Sequence, residues 1–326
     1  MMSENNIIIQ DNNGACVRPI TWNAKKWKKA FYDGYMPDTH YLRREVWKNT
    51  VAIVENGGYS LKNGTIVTLP KEGELDTKSS FYSNEFHPIF SPFAADSEIT
   101  VVPDDCLDKA HEWVDEGLDV SVLNMASRQN PGGGVRGGTG AQEEYLFRCS
   151  NYYRSLYRYT HYAEQYGLER SDDQYPLDCN YGGIYSPNIT VFRGNEMSGY
   201  SLLKEPFQVN MIAVAGMNRP ELVLENGEYR IAPELVEGIK NKIRTIFRIA
   251  CQHGQRNLVL GALGCGAFRN PPKHVAELFR EVLSESEFDR AFSRICFAVK
   301  SDHNSNGDSN YTAFQSVLDG YVIEKN

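Results

Sequence analysis

Residues 130–144 read Asn-Pro-Gly-Gly-Gly-Val-Arg-Gly-Gly-Thr-Gly-Ala-Gln-Glu-Glu, and this stretch decides the fold. An apolar run, Val120 to Leu123, stands just before it, and a helical pattern begins just after. A strand that feeds a glycine-rich turn and then a helix is the unit from which open α/β sheets are built. Glycines at 132, 133, 134, 137, 138 and 140 let backbone N–H groups approach a ligand with no Cβ in the way. Glu143 and Glu144 then stand at the mouth of the loop. Such an arrangement suits chemistry on a sugar that carries phosphate.

Working outward, the same strand–helix alternation extends over about 220 residues. Ile99 to Val102 reads as a strand, and Pro103-Asp104-Asp105 starts a helix that ends near Gly117. After the glycine loop, a single helix is expected from Gln142 to Tyr157, then β-rich runs at Ile189 to Phe192 and Val209 to Ala215. Ala232 to Gln252 shows one apolar face through Leu235, Val236, Ile239, Ile243, Ile246, Phe247 and Ala250. Leu258 to Leu260 leads into a second glycine loop, Gly261 to Phe268, and Pro271-Pro272 opens the next helix. Ile295 to Val299 and Tyr311 to Leu318 complete the pattern as strand and helix. The expectation is an α/β sheet covered by helices on both faces over 99–320. An accessory helical region over 18–98 and a loose tail over 1–17 precede it. Within that region, Pro37 to Asn56 is helical, Gly64 to Leu69 is a short strand, and Lys71 to Asp96 is an irregular connection.

Composition narrows the function. The chain has 326 residues, 41% hydrophobic and 23% charged, as in an ordinary globular protein. No apolar run approaches the roughly 18 residues that a membrane span requires. The N-terminus lacks the cationic start of a signal peptide. Seven cysteines, an odd number without a CxxC pair, argue against a disulfide framework and a structural zinc, and fit a cytoplasmic compartment. The histidines form no metal motif, so no metal or other cofactor is expected. A net charge of −8 argues against direct nucleic-acid binding. Lys25, Lys26, Lys28 and Lys29 around Trp27 read as a solvated helix face.

Both glycine loops follow a strand and precede a helix, which places them where ligands bind in an open α/β sheet. Neither matches a P-loop or GxGxxG, which disfavours nucleoside triphosphates and dinucleotide redox cofactors. Taken together, the two loops resemble the macrodomain superfamily, which binds ADP-ribose. Gly132-Gly133-Gly134, then seven residues, then Gln142-Glu143-Glu144 is similar to the signature of poly(ADP-ribose) glycohydrolases. The Asn130-Pro131 lead-in and Gly264-Cys265-Gly266-Ala267-Phe268 resemble the short, microbial-type branch. Ile184 to Arg193 resembles a stretch between the two loops in that family, and the likeness runs from about Leu42 to Leu318.

The resemblance implies a macrodomain-like α/β fold, a mixed sheet sandwiched between helices with an N-terminal helical extension, and a glycosidase acting on ADP-ribose polymers, with ADP-ribose or protein-attached poly(ADP-ribose) as partner. It implies Glu144 as the catalytic glutamate and Glu143 as the neighbour that orients ribose hydroxyls. Gly132, Gly133 and Gly134 match the loop against ribose and diphosphate, with Gln142 completing the motif. Gly264, Cys265, Gly266 and Ala267 match the opposite clasp, and Phe268 the aromatic beside the reacting ribose. Asn124 and Asn130 correspond to polar positions lining the same pocket.

The chemistry suits these residue types. One carboxyl group can protonate the leaving oxygen and then, as carboxylate, activate water. That use needs Glu144 to carry a proton when substrate binds, a state favoured by burial and by neighbouring negative charge. Plainer readings stand beside these. Acidic residues favour a helix start regardless of function. Phe268 can be ordinary core, and Arg136 can reach a phosphate or sit in water. Cys265 has no basic neighbour to activate it. Tyr145, Phe147 and Tyr152 to Tyr157 read as helix packing, and the tyrosine-rich run 153–185 as packing or as a pocket wall. Two rival functions remain: a module that binds ADP-ribose without cutting, and a hydrolase for another ADP-ribose linkage on protein or nucleic acid.

Overall fold

Seven strands form the central sheet of the computed structural model, which describes residues 9–10, 16–17, 19–70, 79–92, 97–300 and 309–322. In chain order the strands are β1 (Ile9–Gln10), β2 (Cys16–Val17), β3 (Gly58–Ser60), β4 (Ile66–Thr68), β5 (Ser80–Tyr82), β6 (Glu98–Val102), β7 (Val120–Met125), β8 (Gly183–Arg193), β9 (Leu202–Val214), β10 (Leu222–Glu225), β11 (Glu228–Ile231), β12 (Asn257–Leu260) and β13 (Arg294–Ala298). The helices are α1 (Ala24–Tyr32), α2 (Thr39–Asn56), α3 (Cys106–Asp115), α4 (Gln142–Cys149), α5 (Tyr153–Tyr157), α6 (Pro233–Gln252), α7 (Pro272–Leu283) and α8 (Asn310–Leu318). Sheet order is β5-β8-β9-β7-β12-β13-β6. The run from β9 to β6 is parallel throughout, whereas β8 and β5 are antiparallel additions at one edge.

Alternation along the strands separates two cores. Val120 and Val122 of β7 join Met211, Val259 and Cys296 in a core with α2, α3, α4 and α5. Leu123 points the other way, with Ile212, Leu258, Leu260, Ile295 and Phe297, into a core with α6, α7 and α8. This is the expected mixed sheet between two helical layers. The helix ends follow their caps. Asp105 accepts from Leu107 N–H at 2.9 Å to open α3, and Gly57, with φ of +73°, closes α2. In α1, Trp27 is buried while the four lysines around it are exposed, as their spacing predicts.

Three expectations need correction, and one hairpin lies outside them. The helix over Gln142 to Tyr157 is two helices, α4 and α5. Ser150 is extended and bridges Val191, and Asn151 exchanges backbone and side-chain hydrogen bonds with Thr190, so β8 captures the chain. The irregular connection Lys71 to Asp96 contributes β5, an edge strand paired with Gly183 to Tyr185; its 71–78 and 93–96 lie outside the described residues. β8 and β9 run longer than their apolar runs, because a bulge at Asn188, with φ of +54°, lets pairing continue past Pro187. The hairpin β10–β11 was not anticipated, although Asn226-Gly227 is a two-residue hairpin turn and both residues have positive φ. The tail over 1–17 lies mostly outside the described residues, within which β1 pairs with β2.

Candidate active site

Adjacent parallel strands β7 and β12 send their chains to opposite faces, β7 to α4 and β12 to α7. A sheet opens a crevice at the carboxyl ends of such a pair. Both glycine loops leave from those ends. Gly261, at the end of β12, lies so close to Met125, at the end of β7, that an added Cβ would meet its sulfur at 3.2 Å. The third neighbouring loop, after β9, joins them: Arg219 N–H donates to Phe268 C=O at 2.8 Å. Asn270, 3% exposed, donates from its amide to Met217 C=O at 2.7 Å and to Gly264 C=O at 2.9 Å.

The two carboxylates sit in the first turn of α4, and both are buried, Glu143 at 4% and Glu144 at 5% exposure. Their surroundings differ. Glu143 accepts from Ser127 N–H at 2.8 Å on one oxygen and from Gly132 N–H at 2.9 Å on the other. Asn124 Nδ2 adds a longer contact at 3.4 Å. Burial outweighs these donors and pushes the Glu143 carboxyl up to about 8. Glu144 accepts from Gly134 N–H at 2.8 Å on Oε1, while its buried Oε2 has no partner among the described residues. Glu143 is therefore tied into the loop by both oxygens, and Glu144 by one.

The triple glycine follows from this packing. Gly132 and Gly133 have φ of +75° and +52°. A Cβ on Gly132 would meet the Phe147 ring at 2.5 Å, and one on Gly133 would meet Glu144 Oε1 at 2.5 Å. On Gly134 it would collide with Thr139. The outer half of the loop leans on α2. Gly138 leaves no room for a Cβ beside His40 C=O, Gly140 faces the Arg43 guanidinium, and His40 Nδ1 lies 3.2 Å from Gly137 C=O. Arg148, from α4, donates to Thr139 C=O at 2.7 Å.

The remaining site residues take distinct places. Gln142 clamps the end of β7: Met125 N–H donates to Oε1 at 3.0 Å, and Nε2 donates to Leu123 C=O at 2.7 Å. Asn124 is buried behind Glu143, donates to Tyr152 Oη at 3.3 Å, and leaves Oδ1 without a partner among the described residues. Asn130 is exposed and meets the loop through its backbone, accepting from Gly133 N–H at 2.9 Å. In the second loop Gly264 has φ of +74° against Asn270, Cys265 is buried, and Ala267 is exposed. A Cβ on Gly266 would meet nothing within 4 Å. Phe268 is half-buried and belongs to neither core, so it is not ordinary packing. Tyr145, Phe147, Tyr152, Tyr153 and Tyr157 are buried, as helix packing requires. Arg136 stacks over the Tyr162 ring at 4.5 Å.

Ser127 and Asn270 escaped the sequence reading, and Phe147 was read there as helix packing only. Ser127 supplies an N–H to Glu143, Phe147 forms the floor under Gly132, and Asn270 stitches two loops. For Asn270 the signal was present, since an Asn just before Pro271-Pro272 lies outside the helix and has its amide free for loop carbonyls. The other two act through a backbone N–H and a ring, which no motif marks.

The model of the microbial-type poly(ADP-ribose) glycohydrolase catalytic domain matches residues 48–194. The X-ray structure of poly(ADP-ribose) glycohydrolase from Thermomonospora curvata is similar at 30% identity and a TM-score of 0.67, covering 85% of this chain and 99% of that one. Its complex with the inhibitor ADP-HPD is similar at 29% and 0.66. The enzyme from Deinococcus radiodurans in complex with ADP-ribose is similar at 29% identity and a TM-score of 0.58, over 77% of this chain and 98% of that one. No curated protein matches the chain. Fold and site define a macrodomain-like protein with an acid pair at its first glycine loop. The chain belongs to the microbial-type poly(ADP-ribose) glycohydrolase family.

Proposed function

We propose that this protein is a glycosidase that hydrolyses ribose–ribose O-glycosidic bonds of poly(ADP-ribose) and releases ADP-ribose. One observation carries the reading: Glu144 Oε2 is buried at the crevice with no partner among the described residues, while Oε1 is held by Gly134 N–H. An unpaired buried carboxyl oxygen costs free energy that a module built only to bind has no reason to bear. Beside a ribose it becomes a proton donor to the leaving oxygen. As the bond breaks, positive charge develops at the anomeric carbon, and the neighbouring diphosphate stabilises it. Glu144, now a carboxylate, takes a proton from the attacking water. Glu143 holds Ser127 and Gly132 in place and so presents the loop to the sugar.

The open space at Gly266 and the half-buried Phe268 support the second loop as the wall against diphosphate and ribose. The polymer we assign as substrate is carried on proteins, in the cytoplasm; Cys106, Cys149, Cys179, Cys251 and Cys296 stand as thiols, which supports a reducing compartment. The test is labelled, protein-attached polymer given to the natural chain and to Glu144→Gln. Gln keeps an acceptor for Gly134 N–H but cannot donate a proton that it then recovers. Turnover is expected to fall about 10²–10⁴-fold, with ADP-ribose affinity retained. Turnover that survives the substitution overturns the assignment of the acid. Binding of ADP-ribose with no release by the natural chain identifies a reader instead.

A further inference from the structure

α4 carries the acid pair but begins without a capping side chain, because Ala141 stands at its N-cap. Its first turn is held instead by two side chains that bracket Glu143 and Glu144. Gln142 clamps the end of β7 and also donates from Nε2 to Cys106 Sγ at 3.6 Å. Tyr145, three residues on and therefore on the same side of the helix, donates from its phenol to Asp105 Oδ1 at 2.6 Å. Both anchors thus reach the start of α3, at the adjacent residues Cys106 and Asp105.

Asp105 is buried, and both of its oxygens are engaged. Oδ1 also takes the Leu107 N–H that opens α3, and Oδ2 pairs with Lys300. Lys300 lies just past the end of β13, where Val299 N–H donates to Val102 C=O at 2.9 Å. Its ammonium stands 5.6 Å from the centre of the Tyr145 ring. Tyr145, Asp105 and Lys300 therefore meet in all three pairings: a hydrogen bond, an ion pair, and a cation over a ring. Burial, then the charge of Asp105, holds the Tyr145 phenol well above its usual range, so it stays the donor. The triangle joins α3, α4 and β13 at the carboxyl ends of the parallel strands. Glu144 takes a hydrogen bond from Gly134 N–H alone among the described residues, so its aim depends on how firmly the turn beneath it is fixed.

We propose that Tyr145 is a positioning residue for the reaction: anchored to Asp105 and Lys300, it fixes the first turn of α4 and so sets where Glu144 presents Oε2. The role in the reaction rests on the function proposed above, whereas the anchor itself is testable without turnover. Tyr145 touches neither sugar nor reacting atoms; it acts through the helical turn it shares with Glu144. Tyr145→Phe removes only the phenol oxygen and keeps the ring beside Lys300.

The experiment uses the full chain and compares the natural protein with Tyr145→Phe. Amide hydrogen exchange reads Gly132 and Gly134, whose N–H groups are held by Glu143 and Glu144, against Val259 in the buried strand β12. Exchange at the two glycines is expected to quicken about tenfold, with Val259 unchanged. In turnover of labelled polymer, kcat is expected to fall about tenfold, less than the roughly 100-fold that about 1 Å of displacement costs, with KM and ADP-ribose affinity unchanged. In an Asp105→Ala background, Tyr145→Phe should add no further loss, because its acceptor is already gone. If either variant does not fold, Lys300→Met, which loosens Asp105 from the other side, is expected to move the same two amides in the same direction. Equal quickening of all three amides, or none at the two glycines, overturns the anchor. A natural kcat, or a loss confined to KM, overturns the positioning role. Failure of the natural chain to release ADP-ribose counts against the proposed activity alone, because exchange reads the anchor in the resting protein.

Discussion

The two glycine loops look alike in sequence and do different work in the structure. In the first, the glycines at 132, 133, 134 and 138 are each pressed by the protein's own atoms: a ring, a carboxylate, a threonine and a helix carbonyl. Glycine is required there because the chain is folded tightly around its two glutamates. In the second, Gly264 is packed in the same way, but Gly266 faces open space and Phe268 stands half-exposed beside it. One loop closes around the acid pair; the other leaves a stretch of bare backbone open. A glycine count cannot separate these uses. What lies within a Cβ's reach can.

That contrast is broken or sharpened by substitution. The largest effect is expected from Gly133→Ala. Its φ of +52° disfavours any side chain, and the new methyl would displace the Glu144 carboxyl, which lies 2.5 Å from the Cβ position. Turnover should fall by about 100-fold or more, since a displacement of about 1 Å suffices for that loss, with a drop in melting temperature. A variant that keeps natural kcat would show that the loop does not aim Glu144.

The next effect concerns pH and is confined to the first loop. Glu143 is raised in the folded protein to about 8 from an ordinary 4.5, so between those values the folded state binds more protons than the unfolded chain. Its contribution is therefore fully present below about 4.5 and is lost as pH rises towards 8, on the order of a few kcal/mol at most. Chemical denaturation from pH 5 to 8 checks this against Glu143→Gln, which should lack that component of the slope. Identical slopes would remove the buried proton from the account.

The smallest effect on stability is expected from Gly266→Ala. With nothing within 4 Å of the added methyl, stability should change by less than about 0.5 kcal/mol. ADP-ribose affinity should nevertheless fall several-fold, because the methyl would occupy the space we assign to the diphosphate. Unaltered affinity would make the second loop a bystander, and the two loops would then not form one site.

Much of this was legible before any coordinates. Strand, loop and helix order from Ile99 to Leu318 follows from apolar runs punctuated by Gly and Pro, and the loop glycines and acid pair stand in one short stretch. Longer-range competition was not legible. The helix after the first loop breaks because Thr190 and Val191, some forty residues away, pair with Ser150 and Asn151. β5 is a three-residue strand that exists only because the edge of β8 is there to receive it. Within the site, the residue types were readable and the resemblance implies separate roles for Glu143 and Glu144; which backbone N–H groups point at which oxygen was not legible.

His40, Arg43 and Arg44 of α2 touch the outer face of the first loop, at Gly137, Gly138 and Gly140. Arg43 is itself anchored by Glu196 through paired hydrogen bonds at 2.8 and 2.9 Å. The smallest piece of this chain able to work must therefore reach back at least to His40. A fragment begun at the first parallel strand would retain both glutamates and all the loop glycines, and would leave them without a buttress.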